Sequence, residues 1–225
     1  MLLGGYLSDP MLAPFFTPVL PFLIAAFLTF CGYLVVHFWF TETHPEKASV
    51  HFDLIKSLRD IKNALHHHQT RPYLFTILFW SVGWFFTFQW FTAVSLEKFH
   101  VSQETASLYL IVLGIIWMLG GVLLNPLLVK RFSPSSIALS SIFFTALFIL
   151  ATSLTDDYFT FSLLFWIATV AAPVSLSTIL NIVSSSAPGS IQGKVMGFTQ
   201  SFQSLAGVLV PLAGGGLARL DIGLI

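Results

Sequence analysis

Gln200 and Gln203 stand three residues apart in a stretch, Val195 to Leu217, that holds no charged side chain. A carboxamide donates and accepts hydrogen bonds without titrating, so it can hold the polar part of a ligand or tie one helix to another. It cannot face lipid without loss. Both roles stay open for each glutamine. Gln89 poses the same question beside the aromatic run Trp80, Trp84, Phe85, Phe86, Phe88 and Trp90. Trp84 and Gln89 lie deep enough to line a path, and Trp90 is expected to anchor at an interface. Trp117 is central in a third apolar stretch. Each tryptophan is a candidate either for contact with a small molecule or for a lipid-facing position. Pro173 falls inside a further stretch, where it should kink a helix.

Reactive groups are scarce elsewhere. Five of the seven histidines lie between 41 and 72: His44, His51, His66, His67 and His68. Consecutive helical residues point about 100° apart, so three adjacent imidazoles share a metal poorly. Cys31 is the only cysteine. No metal site and no cofactor are expected. No Ser/His/Asp grouping, paired acids or phosphate loop is present, so the chain is not expected to be an enzyme. No carboxylate lies in any long apolar stretch, so these stretches offer no acid to carry a proton at depth.

The elements that must hold these residues follow from composition. Of 225 residues, 56% are apolar and 9% charged, with a mean hydropathy of +0.84. A soluble domain carries about 25% charged residues, and this much apolar side chain cannot be hidden from water in a particle of this size. Net charge is zero, so no nucleic-acid partner is expected. Six stretches lack Asp, Glu, Lys and Arg: 17–40, 73–93, 106–129, 135–154, 158–182 and 195–217. At about 1.5 Å per residue each spans a hydrocarbon core of about 30 Å. In lipid the backbone must satisfy its own hydrogen bonds, so each is a helix. The fold class is an all-α membrane bundle of about six transmembrane helices, and the lipid bilayer is its first partner.

Eight of the ten Lys and Arg fall in 41–72, 130–134 and 183–194, and only Lys98 and Arg219 on the alternate side. The positive-inside tendency makes the first set cytoplasmic and places the chain, multi-pass, in a cell membrane (plasma or bacterial inner). Residues 1–16 read as the tail of a helix whose start lies before Met1, with an outer loop. Residues 17–40 are then one span, 41–72 a cytoplasmic connection, 73–217 five further spans, and 218–225 an outer tail. In the connection Phe52, Ile55, Leu58, Ile61 and Leu65 recur at steps of three and four, opposite Lys56, Arg59, Asp60 and Lys62. This is an amphipathic helix that either lies on the inner membrane surface or packs as an ordinary linker.

In the last span Gly193, Gly197, Ser201 and Ser204 fall on one stripe. Such a stripe lets a neighbouring backbone approach closely, as helices pack when lipid supplies no hydrophobic drive.

Several segments resemble the major facilitator superfamily, most closely its drug:proton antiporter branch with the tetracycline-efflux-like carriers. Residues 1–9, MLLGGYLSD, resemble the end of that branch's fifth helix. Pro21-Phe22 with Ala25-Ala26, then Glu42-Thr43, resembles the sixth helix and the start of the central loop. Lys130-Arg131 after Leu127-Leu128-Val129 resembles a worn inner loop between the eighth and ninth helices. Residues 188–216, PGSIQGKVMGFTQSFQSLAGVLVPLAGGG, resemble the next inner loop and the eleventh helix, although Lys194 stands where an acid or small residue is more usual. The resemblance implies helices six to eleven of twelve, truncated at both ends, in two halves around a central cavity with alternating access. It implies a cavity lined near Trp84, Gln89, Trp117, Pro173, Gln200 and Gln203, a small-molecule substrate, and proton-coupled efflux of amphipathic compounds or drugs. A separate N-terminal half would supply most coupling acids. The alternative is a non-transporting helical scaffold or an inactive transporter remnant.

Overall fold

The computed structural model describes residues 19–40, 71–187 and 192–218. The segment 1–16, nearly all of the 41–72 connection with its five histidines, and the tail beyond Ala218 lie outside the described residues. Six described helices are long and apolar enough to cross a membrane. They are α1 (Leu20–Trp39), α2 (Arg71–Glu97), α3 (Gln103–Val129), α4 (Pro134–Ser153), α5 (Tyr158–Ser186) and α6 (Gln192–Ala218). No strand occurs among the described residues. All six stand where uncharged stretches predict them. Several run further than the apolar stretch, α2 from Arg71 to Glu97 and α5 to Ser186, because helical hydrogen bonding need not stop where the hydrocarbon does.

The chain divides into two units, residues 1–53 and 54–225. In the first, α1 begins with Pro21 in its opening turn, where a missing N–H costs nothing. Phe30, Tyr33 and His37 stack along it at 6.0 and 5.6 Å.

The second unit holds α2 to α6. Its helix starts are written in local chemistry. Ser102 accepts a hydrogen bond from Thr105 N, and Ser133, followed by Pro134, accepts one from Ser136 N. Asp157 caps α5, its Oδ2 accepting from both Thr160 N and Thr160 Oγ1 at 2.8 Å. The Thr160 N–H is the main reason the Asp157 carboxyl sits below its ordinary range. A carboxylate depressed in the folded state stabilises the fold above its unfolded pKa and loses that contribution as pH falls through its folded pKa. Asp157→Asn should therefore flatten the acid limb of a melting-temperature profile taken from pH 7 to below the ordinary carboxylate range. Asn can still cap the helix, so an unchanged acid limb would show that ionisation of this carboxyl contributes nothing.

α5 is the centre of this unit and touches α2, α3, α4 and α6. Phe165, Ala168, Thr169, Ala172, Ser175, Ile179 and Val183 are buried along it. α4 returns beside it through the 154–157 turn and buries Ile137, Ala138, Ser141, Thr145 and Thr152, a mostly small, mildly polar stripe. Their hydroxyls are satisfied at home: Ser141 Oγ donates to Ile137 O at 2.6 Å and Thr145 Oγ1 to Ser141 O at 2.8 Å. Such back-bonding lets small polar side chains sit in an apolar interface without a partner helix supplying an acceptor. Leu139, Phe143, Leu147 and Leu150 point outward from α4, and Ile115, Met118 and Val122 from α3. An outside of this kind suits hydrocarbon and would be unstable in water.

Candidate functional site

Trp84, on α2, is only 6% exposed. Its indole lies among four rings: Trp80 at 6.1 Å, Phe88 at 6.3 Å, Phe165 of α5 at 5.9 Å and Trp117 of α3 at 5.0 Å. The spacing along α2 explains part of this, since 80, 84 and 88 are each one turn apart on one face. The tilt of Trp117 onto Trp84 is a tertiary fact, since α2 and α3 meet there. Trp117 is half-buried, and with Pro173 it lines a cleft of about 400 Å³ between α3 and α5, together with Met118, Gly121, Leu176 and Ser177. Three of the six expected path residues, Trp84, Trp117 and Pro173, thus form one continuous aromatic and apolar corner.

The three glutamines are placed differently. Gln89 and Gln200 are exposed and Gln203 is half-buried. None makes a hydrogen bond to another described residue. Inter-helix tying by these amides does not occur among the described residues, and their carboxamides remain available.

α6 packs on α2, the two running parallel. A Cβ on Gly207 would meet Phe85 at 4.0 Å, and one on Gly214 would run into the Trp90 indole. The buried face of α6 carries Val195, Thr199, Ala206 and Val210. Gly193, Gly197, Ser201 and Ser204 lie on the exposed side, and nothing stands within 4 Å of a Cβ built on Gly193 or Gly197. The helices of the second unit therefore supply no neighbour to those two glycines. Trp90 is half-buried against Gly214, and its indole N–H is buried without a partner.

The polar contact that sequence reasoning missed is Trp80 Nε1, which donates to Ser175 Oγ at 2.7 Å, while Ser175 Oγ–H donates to Ala172 O at 2.7 Å. Both residues are buried, so this chain fixes the first ring of the stack. Ser175 gave no signal, because serines at many positions of these spans bond only their own helix. Ser175→Ala leaves the indole N–H orphaned and should lower stability by about 1 kcal/mol. Thermal unfolding followed by tryptophan fluorescence measures it, and an unchanged midpoint would mean that Trp80 finds another acceptor.

Among the described residues no group of three His, Cys, Asp or Glu stands together to hold a metal. Lys98 donates to Thr155 O at 2.9 Å and lies 3.6 Å from Asp156, joining the end of α2 to the α4–α5 turn. The family model of the Major Facilitator Superfamily matches residues 1–211. No curated protein and no solved structure shows a significant match to the chain.

Proposed function

Because the chain belongs to the Major Facilitator Superfamily, whose members are membrane transporters, we propose that it forms part of a secondary carrier exporting small amphipathic compounds against proton influx. The observation that carries this reading is the Trp84–Trp117–Pro173 corner, with its cleft between α3 and α5. It offers π faces and apolar side chains, and no ion, to a passing molecule. Aromatic faces hold flat apolar rings and cations, while an amide orients one polar group. Gln89, Gln200 and Gln203 take that second role.

The proton is carried elsewhere. The described spans from Tyr73 to Ala93, Ala106 to Val129, Ser135 to Leu154, Tyr158 to Ser186 and Val195 to Leu217 contain no Asp, Glu, Lys or Arg. A titrating group at depth is what proton coupling needs. A separate N-terminal half supplies it in this proposal. The exposed Gly193, Gly197, Ser201 and Ser204 side of α6 receives a helix of that half. The basic 41–72 connection lies in the cytoplasm of a plasma or bacterial inner membrane.

The test is efflux of a fluorescent amphipathic dye from energised vesicles. The chain alone is expected to export little or nothing, yet to bind dye with quenching of tryptophan emission. Loss of quenching in Trp117→Phe would support the corner as the binding place. Robust proton-driven export by the chain alone would overturn the need for a second half. Absence of any dye binding would overturn the export reading and favour a scaffold.

A further inference from the structure

α3 and α5 run in the same direction, and each carries one break in its hydrogen-bond ladder. In α3 residues Gly120–Leu124 form a π-turn, closed by Asn125 N–H donating to Gly120 O. In α5 Pro173 has no N–H, so the Thr169 carbonyl loses its usual donor. The two breaks face each other. A Cβ on Gly120 would run into the Val170 carbonyl oxygen and stand 2.9 Å from Pro173 Cγ; one on Gly121 would stand 3.6 Å from Pro173 Cβ. The Gly120 Cα–H therefore points at the Val170 carbonyl, a weak hydrogen bond of the kind that recurs where helices touch.

On either side of this contact the helices are tied to each other. Towards the Gln103 end, Tyr109 O accepts from Trp166 Nε1 at 3.4 Å and the two rings stack at 5.0 Å. Towards the Lys130 end, Asn125 Oδ1 accepts from Thr178 Oγ1 at 3.5 Å. Two tied pairs of helix segments are thus joined through a paired interruption.

We propose that the Gly120–Leu124 π-turn and Pro173 form a single joint, at which the segments tied by Asn125 and Thr178 swing as one body relative to those tied by Tyr109 and Trp166. Neither break can bend alone. A bend at Pro173 by itself would drive Val170 O into the Gly120 backbone, or pull Thr178 away from Asn125. The π-turn supplies the slack, because it has one residue more than an α-turn needs and its long-range bond is easily exchanged for a shorter one. The Trp117 cleft lies at this joint, so the swing would change its shape.

Hydrogen exchange of the whole chain in detergent micelles tests the joint without any transport assay. Pro173→Ala restores the missing donor in α5. Exchange should slow about tenfold in 174–186 and also in 121–129 of α3, where nothing was altered. Deleting Val122, which is 64% exposed, closes the π-turn to an α-turn and should slow 174–186 in turn. In the unaltered chain, the openings of 121–129 and 174–186 should share one rate. Slowing confined to the altered helix, or two different opening rates in the unaltered chain, would overturn the proposal; the second readout does not depend on either variant folding.

Discussion

Gly120→Val is expected to be among the most damaging single substitutions in this chain. Gly120 is buried where α3 crosses α5, and the atom its new Cβ would strike first is the Val170 carbonyl oxygen, part of a helix backbone. A side-chain tip can rotate away, but a backbone carbonyl cannot move without moving its helix. Overpacking a well-filled interior typically costs about 1–3 kcal/mol and occasionally more. Here the relief available is to push α3 off α5, which also separates Tyr109 from Trp166 and Asn125 from Thr178. The expected result is a melting midpoint far below that of the parent, or failure to fold. Gly121→Ala is the paired control. Its Cβ would stand 3.6 Å from Pro173 Cβ, an ordinary contact, so stability should change by no more than about 0.5 kcal/mol. If both variants melt alike, the Gly120 contact with Val170 is not what sets the α3–α5 distance.

Trp84→Ala should be comparably severe and more informative about function. Four rings lean on this indole, from its own helix, α3 and α5. Truncating a buried tryptophan to alanine costs about 3–5 kcal/mol in water-soluble proteins, through lost transfer energy plus the cavity left behind. In lipid the transfer part shrinks, since the alternative environment is itself apolar, but the lost contacts and the cavity remain. A loss of about 2–3 kcal/mol is therefore expected. Trp84→Phe keeps a ring in place and should recover most of it. The near-ultraviolet circular dichroism of the Trp84–Trp117 pair, 5.0 Å apart, should vanish in both variants. A stable Trp84→Phe protein that no longer binds dye would place the substrate against this indole. One that binds as before would move the binding place away from it.

Much of the fold was legible. The six spans follow from long runs without charge, whereas the capping of α4 by Ser133 and of α5 by Asp157 emerged only with the structure. Little of the site was legible. The aromatic run in 73–93 pointed to Trp84, yet nothing in it singled out Trp117 as the ring that leans on it. The π-turn gave no signal, because one extra residue in an apolar run leaves composition and charge unchanged. It is recognisable only where Gly120 meets Val170 and Pro173. On α6, small residues occur on two opposite sides. Within the second unit Val195, Thr199, Ala206 and Val210 are buried on a helix that packs against α2 and α5, while the Gly193 and Gly197 side stays open.

The sequence by itself determined that this protein lives in a membrane, how many described helices cross it, and roughly where each begins. Each of those outcomes depends on moving one segment from water into hydrocarbon, a transfer that local composition decides segment by segment. The tertiary structure alone decided which side of each helix turns inward and which distant residues meet. Hydrocarbon is as apolar as the interior of the bundle, so no contrast in hydrophobicity marks the inward face. That choice falls to shape: a glycine that admits a carbonyl, a proline beside a loosened turn, and an indole that finds one serine.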